Sequence, residues 1–535
     1  MDCKQRKPLN KILEDLLCEA LSKNITKQKD LQTLKNEYSL KYRISSPTNV
    51  SLIKTYRKLV KDGDIQENKV FFDLIIKRKV RSQSGIANVT VLTKHYACPG
   101  TCIFCPSEPE MPKSYLSNEP AMMRAILNDF DGYRQVTNRL QGLERTGHPT
   151  DKIEIIVAGG TFSYYPKNYQ TSFIRGVYNA LNEGEKSTSL EDAQKINETA
   201  KHRCVGLSLE TRPDWINIDE VKRMRNLGAT KVEIGIQALD DKILKKNKRG
   251  HGVGEIRTAM KLLKDAGFKI NAHMMPNLYG STPKKDLEMF AELFKDPDFK
   301  PDWLKIYPCV VTPHSELEKV FKDGKHKPYS DDELIELISE MKTLVPEYVR
   351  IARLYRDIPA ESILGGSTVS NLRQVVHANM YEKGESCKCI RCREVRDTQV
   401  DIKDVKLIER VYDSSEGKEH FLSFEDIKQN KLIAFLRLRI PSQIFSGEKH
   451  FIKDLEYAAV IRELHTYGAQ IPLTQHDDLA VQHQGYGKRL LERAEEITSE
   501  YKLSKLAVIS GIGVREYYRK RGFKLGDTFM VKDLK

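Results

Sequence analysis

Cys98-Pro-Gly-Thr-Cys102-Ile-Phe-Cys105 sets three thiols in a C-x3-C-x2-C run. Thiolates spaced this closely suit three corners of one iron–sulfur cluster or three sides of one zinc ion. No fourth cysteine lies nearby, so a 4Fe–4S cluster held here keeps one iron without a protein thiolate. A zinc site normally draws its fourth ligand from the same stretch, which makes zinc the weaker reading. A second run, Cys387-Lys-Cys389-Ile-Arg-Cys392, is C-x-C-x2-C. It points to zinc completed by His377 or by a residue distant in sequence, with redox cysteines as the competing reading. Six of the ten cysteines fall in these two groups, too few and too clustered for a disulfide scaffold. They argue for metal ligation in a reducing compartment, whereas the isolated Cys3, Cys18, Cys204 and Cys309 read as ordinary thiols.

A third constellation is Gln482-His-Gln-Gly485-Tyr486-Gly487-Lys488, a Q-x-x-G-x-G turn running into a helical pattern. Glycines at a helix start leave backbone N–H groups unshielded, a seat for a pyrophosphate, although an ordinary helix cap looks the same. Downstream lie Leu506–Ser510 and Gly513-Val-Arg-Glu-Tyr517-Tyr518.

These motifs need elements to position them. Strand patterns at Val89–Leu92, Ile153–Ala158, Val205–Leu209, Lys231–Ile236, Lys269–Met274 and Leu304–Tyr307 alternate with amphipathic helical runs such as Ile218–Leu227 and Gly254–Ala266. Six strand-then-helix repeats predict a parallel α/β sheet, open or partly closed into a barrel, with function at its C-terminal strand ends. The first cysteine run follows the first strand. Ala158-Gly159-Gly160-Thr161 ends the second, Glu210-Thr-Arg212-Pro the third and Glu233-Ile-Gly-Ile-Gln237 the fourth. Lys152 precedes the second strand, and Lys305 sits in a polar gap of the sixth; a solvated or ion-paired lysine is the competing reading for each. Beyond residue 395 strands come first, at Val405–Tyr412, His420–Phe424, Lys431–Arg439 and Glu456–His465, followed by a helix at Gly485–Tyr501, which predicts a separate α+β domain.

The expected domains are a basic helical N-terminal arm over 1–81, a barrel over 82–350, a cysteine-bearing linker over 351–394 and the α+β domain over 395–535. No apolar run approaches the ~20 residues of a membrane span, and the start lacks a signal-peptide core, so the chain reads as cytoplasmic with no membrane partner. Net charge is +14, and residues 1–81 hold 19 Lys/Arg against 10 Asp/Glu. Such a surplus suits a polyanion. Tyr38, Tyr42 and Tyr56 lie among the arm's cations and suit base stacking, though core tyrosines would read alike.

The three-cysteine run, on a strand-to-loop junction opening six β/α units, resembles the radical S-adenosylmethionine (SAM) superfamily. The resemblance implies a partial (β/α)6 barrel whose 4Fe–4S cluster leaves one iron open for SAM to chelate through its amino and carboxylate groups. Phe104 then covers the adenine side, Gly159 and Gly160 face the methionine amino group, and Glu210, Arg212 and Gln237 hold the ribose and methionine carboxylate. A buried structural ion pair is an equal reading for Glu210 and Arg212. The C-terminal set resembles the GNAT acetyltransferase fold, which binds acetyl-CoA. It places Glu463, Leu464, His465 and Thr466 on the strand that pairs with the pantetheine arm. Gln482, Gly485, Tyr486, Gly487 and Lys488 then surround the pyrophosphate, Tyr517 contacts the cofactor, and Tyr518 approaches the thioester sulfur as a catalytic candidate, with core packing as its competing reading. Glu463 and His465 are candidate bases.

The two domains in one chain resemble the family of Elongator catalytic subunits and their single-chain archaeal and bacterial relatives. Supporting motifs include Gly159-Gly-Thr-Phe162, Ala272-His-Met-Met-Pro276, Arg356-Asp-Ile-Pro359 and Arg462-Glu-Leu-His465. The compact x3 gap looks more like the prokaryotic branch and leaves partner subunits open, a homodimer among them. The resemblance implies a tRNA wobble-uridine enzyme that engages the anticodon stem-loop and makes a 5-carboxymethyl group. Reductive cleavage of SAM yields a deoxyadenosyl radical that takes hydrogen from the methyl of acetyl-CoA. The carbon radical adds to C5 of uridine, and water releases CoA. Lys152 matches a position that contacts acetyl-CoA, and Lys305 is the candidate for acid/base or electron-transfer support. The alternative function is a protein lysine acetyltransferase whose Fe–S domain is only structural.

Overall fold

Leucines and isoleucines at helical spacing fold the first segment into four helices, α1 (Leu9–Ser22), α2 (Gln28–Tyr42), α3 (Asn49–Asp62) and α4 (Lys69–Ile75). The computed structural model describes residues 7–76, 85–184, 186–396, 398–467 and 485–534. Thr48 and Asn68 cap α3 and α4 by accepting from Ser51 N and Phe71 N, which satisfies donors a helix start leaves free. Leu16, Leu17, Leu34, Leu52 and Phe71 close a small core of their own. Tyr38 and Tyr56 are buried in that core, and Tyr38 donates its hydroxyl to Glu19 at 2.6 Å. They are core residues, not stacking platforms, because their rings complete the apolar face of each helix. The segment is a packed helical unit rather than an extended arm.

Seven strands in strict sequence order make one all-parallel sheet: β1 (Ala87–Leu92), β2 (Lys152–Ala158), β3 (Arg203–Thr211), β4 (Lys231–Gln237), β5 (Lys269–Met274), β6 (Trp303–Ile306) and β7 (Arg350–Arg353). The partial barrel is as expected, with one strand more. β7 crosses the expected boundary at 350; its four residues are too short for a periodicity to reveal. Alternation sorts each strand's faces. In β2, Ile153, Ile155 and Val157 are fully buried, while Lys152 and Glu154 face a cavity. Lys231 and Glu233 of β4, Lys269, Asn271 and His273 of β5, and Lys305 of β6 line the same cavity. The sheet's inner face is therefore polar, an arrangement an apolar core would not tolerate without a functional use for it.

The C-terminal half is a second seven-stranded sheet, ordered β13-β14-β12-β11-β10-β9-β8. Its strands are β8 (Val405–Ser414), β9 (Gly417–Asp426), β10 (Lys431–Ile440), β11 (Ala458–Thr466), β12 (Lys505–Val508), β13 (Lys524–Leu525) and β14 (Met530–Asp533). β13 and β14 are additions to the strands read from sequence. Only the β11–β12 pair is parallel, and it spans Ala458–Ile461 of β11. Arg462 to Thr466 run on beyond β12.

The two sheets meet through buried ions. Arg437, Arg439 and Arg462 are the three largest fully buried side chains. Register jumps from Arg437↔Glu463 to Leu438↔Ile461, so Arg462 is the extra residue of a β-bulge and its side chain is re-aimed. It grips Asp302, just before β6, with Nη1 at 2.9 Å, and Glu419 of β9 at 2.9 Å. Arg439 binds Asp265 at 2.6 Å and Glu419 at 3.1 Å, and Arg437 binds Glu463 at 2.9 Å. Lys264 donates to the Lys300 carbonyl at 2.8 Å and lies 3.9 Å from Glu419. Close backbone approach adds to the docking. A Cβ on Gly511 would fall 2.3 Å from the Val205 carbonyl oxygen, and one on Gly513 2.5 Å from Arg203 Cβ.

Burial alone would raise the Asp265, Asp302 and Glu463 pKa values. The facing cations override it, led by Arg439 for Asp265, Arg462 for Asp302 and Lys269 for Glu463, and hold all three below the usual range. Depressed carboxylates stabilise the fold above their unfolded values, near 3.8 for Asp and 4.5 for Glu, and lose that contribution as pH falls through the folded values. Burial also holds His251, His273, His326 and His450 below the usual imidazole range, so the thermal unfolding midpoint should begin to fall below about pH 6.5 and drop steeply below about pH 4. Arg462→Met takes from Asp302 its nearest cation and from Glu419 one of its two arginines, at a cost of up to about 3–5 kcal/mol. Chemical denaturation of that variant should show the C-terminal half losing structure before the barrel.

Candidate active site

The loop after β1 delivers the first cysteines to the barrel mouth. Cys102 is buried, and Cys98 and Cys105 are half-buried. Two arginines from other strand ends close on the loop: Arg249 Nη1 lies 3.2 Å from Cys102 Sγ and Arg212 Nη1 3.7 Å. The hydrogen bond from Cys105, together with these guanidiniums, outweighs burial and pulls the Cys102 thiol down to about 5. Gly100 is required here, since a Cβ would fall 1.9 Å from Arg212 Nη1. Cationic surroundings that favour thiolates fit an anionic iron–sulfur cluster. Arg249 was not singled out by any motif; its only sequence signal is the turn Lys248-Arg249-Gly250.

The strand ends around the loop build a polar cradle. Gly159 has φ +128°, and a Cβ there would fall 2.1 Å from Thr93 Oγ1; Gly160 has φ +96°. Such backbone is open to glycine alone. Gln237, at φ +73°, buries its Oε1 with no hydrogen-bond partner among the described residues. A buried acceptor without a partner is costly, so it marks a place where a ligand donor belongs. Glu210 accepts from Tyr115 at 2.9 Å, and Arg356 lies 4.9 Å over the Tyr115 ring. Arg212 pairs with Asp214 at 2.9 Å rather than with Glu210, which settles the structural pairing expected of those two. Phe104 is buried at the cavity wall, as a cover for a flat ring requires.

Deeper in the lumen, Lys305 is ion-paired with Glu233, which also accepts from His273 Nε2 at 3.1 Å. Burial opposes the charge on Lys305, but Glu233 overrides it and raises the ammonium further. Glu233 is driven well below the carboxylate range despite burial, first by Lys305. The structure thus shows the ion-paired lysine that was the competing reading for Lys305, beside the acid/base or electron-transfer support expected of it. Burial pushes Lys152 down at the cavity wall.

The same cavity, about 1600 Å³, continues to the C-terminal domain, where Glu463, Leu464, His465 and Thr466 of β11 line it with Tyr517 and Tyr518. Glu463 is tied to Arg437, and Lys269 and Arg437 outweigh burial and hold its carboxyl below the usual range, which makes the carboxylate a weaker base. His465 lies against Tyr467, ring centroids 4.4 Å apart. Gly485, at φ +74°, starts the helix Tyr486–Glu500, and among the described residues of the turn Gly487 reaches the cavity. A Cβ on Gly487 would meet the Tyr517 hydroxyl at 3.1 Å and Thr466 Oγ1 at 3.9 Å, so these three converge on one seat. Tyr486 turns inward onto Phe424, ring centroids 4.8 Å apart, and Lys488 points to solvent, its side chain 71% exposed. The Tyr486 ring thus lies on the helix's apolar face and the Lys488 ammonium on its solvent face. Gln482 lies outside the described residues. Burial raises the Tyr518 phenol.

Cys387, Cys389 and Cys392 bring their sulfurs within 4.8 Å of one another, and His377 Nε2 lies 3.9 Å from Cys392 Sγ. This is a single-ion spacing, with the expected histidine beside it. The group sits where Arg393 pairs with Glu425 of β9 at 2.8 Å, so it stands at the junction of the two sheets.

The radical SAM superfamily profile matches residues 92–294, and the radical SAM C-terminal domain profile matches 301–382. The chain is 44% identical over 539 residues to the tRNA uridine(34) acetyltransferase of Methanocaldococcus infernus, covering 98% of each protein. It is 37% identical to the Elongator complex protein 3 of Homo sapiens over 524 residues, 95% of this chain and 93% of that one. The solved structure of the Methanocaldococcus infernus Elp3 with an N-terminal deletion superposes with a TM-score of 0.75 at 44% identity, covering 84% of this chain and 100% of that chain.

Gly159→Ala should weaken SAM binding at least about tenfold, ~1.4 kcal/mol, because the strand end must shift away from Thr93. Equilibrium dialysis of the variant, with iron content unchanged from wild type, checks this.

Proposed function

The chain belongs to the radical SAM family of tRNA uridine(34) acetyltransferases and Elongator complex protein 3, and on that premise we propose that it builds a carboxymethyl group on C5 of the wobble uridine from acetyl-CoA. One observation carries the reading: a single cavity runs from the three-cysteine loop to the Thr466–Gly487–Tyr517 seat. A methyl donor on one wall and a hydrogen-abstracting group on the other must share one enclosure for a carbon radical to reach a base before water does.

Cys98, Cys102 and Cys105 would hold the 4Fe–4S cluster, and Gly159, Gly160, Glu210 and Gln237 would hold SAM. When bound, the two supply one-electron removal of hydrogen from an unactivated methyl group. In the balance, one C–H of the acetyl group and the C5–H of uridine break and one C–C bond forms, a two-electron oxidation that cleavage of the SAM sulfonium C–S bond would match: the cleaved fragment takes up the acetyl hydrogen, the C5 hydrogen leaves as a proton, and water cleaves the thioester to carboxylate and CoA thiol. Arg249 and Arg212 neutralise the cysteine loop. The Lys305–Glu233–His273 cluster keeps the cavity floor polar and positionally fixed. Acetyl-CoA lies along Glu463 to Thr466, where β11 runs past β12 with its backbone free to pair with an extended arm. Its pyrophosphate meets the N–H groups at Gly487, and Tyr518 stands near the thioester. The basic four-helix unit contacts the tRNA body, and Cys387, Cys389, Cys392 and His377 hold a zinc ion that stiffens the junction.

Anaerobic reconstitution with SAM, acetyl-CoA, reductant and tRNA should yield 5-carboxymethyluridine by mass spectrometry, and Cys102→Ala or Cys105→Ala should abolish it. Acetylated protein lysine formed equally well by those variants would overturn the reading in favour of a protein acetyltransferase.

A further inference from the structure

β7 is the last strand of the partial barrel and, among the described residues, pairs only with β6, so its outer edge carries no further strand and forms one rim of the cavity. Two arginines from the following segment hang on that edge. Arg373, in the helix Leu372–Glu382, donates to the Ile351 carbonyl at 3.4 Å, and Arg391 donates to the Ala352 carbonyl at 2.9 Å. Both are half-buried and line the cavity. Neither forms an ion pair with a carboxylate among the described residues, unlike Arg350 with Glu394, Arg353 with Asp357 and Arg356 with Glu119. The anionic groups that face Arg373 are the sulfurs of Cys389, Cys392 and Cys387, and Arg391 lies within that cysteine run. Three thiolates around a divalent ion carry one net negative charge, which two guanidiniums outnumber.

Each guanidinium carries five N–H donors, and one main-chain carbonyl accepts from each here. A pair of half-desolvated, fork-shaped cations with spare donors at an open rim matches a phosphate, which takes two parallel N–H bonds from arginine. Resting on the function proposed above, we infer that Arg373 and Arg391 form a phosphodiester-binding lip that holds the RNA backbone beside the base entering the cavity. Acetyl-CoA carries phosphates too, but its seat lies on β11 and the Gly487 helix start. A polymer needs the open edge that the lip flanks.

The test uses the reconstituted full-length enzyme and a labelled anticodon stem-loop, with affinity measured by anisotropy across a salt series. Arg373→Gln and Arg391→Gln keep a side-chain donor for the β7 carbonyls and remove the charge. Each should weaken RNA binding about five- to tenfold and flatten the slope of log affinity against log salt by about 0.7. Acetyl-CoA affinity by calorimetry should stay within about twofold. Arg391→Lys should restore the slope and only part of the affinity, because the charge returns without the fork. An unchanged slope in the double variant overturns the lip, as does a slope that lysine fails to restore. Weaker acetyl-CoA binding with an unaltered RNA slope assigns the phosphate to CoA and overturns the RNA assignment. Wild-type enzyme that binds no RNA overturns the function proposed above, and the lip with it.

Discussion

Four cations and four carboxylates buried between the two sheets hold the molecule in its working shape. Arg437, Arg439, Arg462 and Lys264 face Asp265, Asp302, Glu419 and Glu463, an electrically balanced set. Apolar burial is non-directional and would let the halves slide. Guanidinium forks on carboxylates allow one mutual orientation, at a desolvation cost that only good geometry offsets. The bulge that aims Arg462 and the glycines that let backbone meet backbone at β3 serve the same end.

That constraint matters because neither half contains a complete site. Barrel strand ends bring the thiolates, the glycine cradle and the Lys305–Glu233–His273 floor, whereas β11 and the helix start bring the second seat. Their separation is set only by the interface. The same polar alternation that lines the lumen with Lys152, Glu154, Lys231 and Glu233 removes the usual apolar barrel filling, which leaves the lumen open as a cavity of about 1600 Å³.

Much of this was legible in residue order. Period-two strands, glycine turns and cysteine spacings depend on neighbours in the chain, so six barrel strands, both cysteine groups and the Gly485–Gly487 turn could be read directly. Residues read less well where a partner decides the role. Lys305 and Glu463 read as acid/base candidates, and the fold sets Glu233 and Arg437 against them. Tyr38 and Tyr56 looked like stacking rings until the helices closed over them. Tyr486 and Lys488 flank the turn in sequence, but a helix sends adjacent residues to different faces. Arg249 and Arg373 carry no motif, Arg391 is a spacer residue of the second cysteine run, and their neighbours come from strands and helices far away in the chain.

By itself, then, the sequence determined the parallel α/β plan, the α+β addition, the thiolate sets and the family to which they belong, because local spacing dictates which groups share one loop or strand end. Tertiary structure alone decided which ionisable groups are locked as ion pairs, which tyrosines are core, that a seventh strand closes the sheet, and that the two seats open into one cavity. Protonation, burial and distance across a fold are set by partners from remote segments, and no short-range pattern records them.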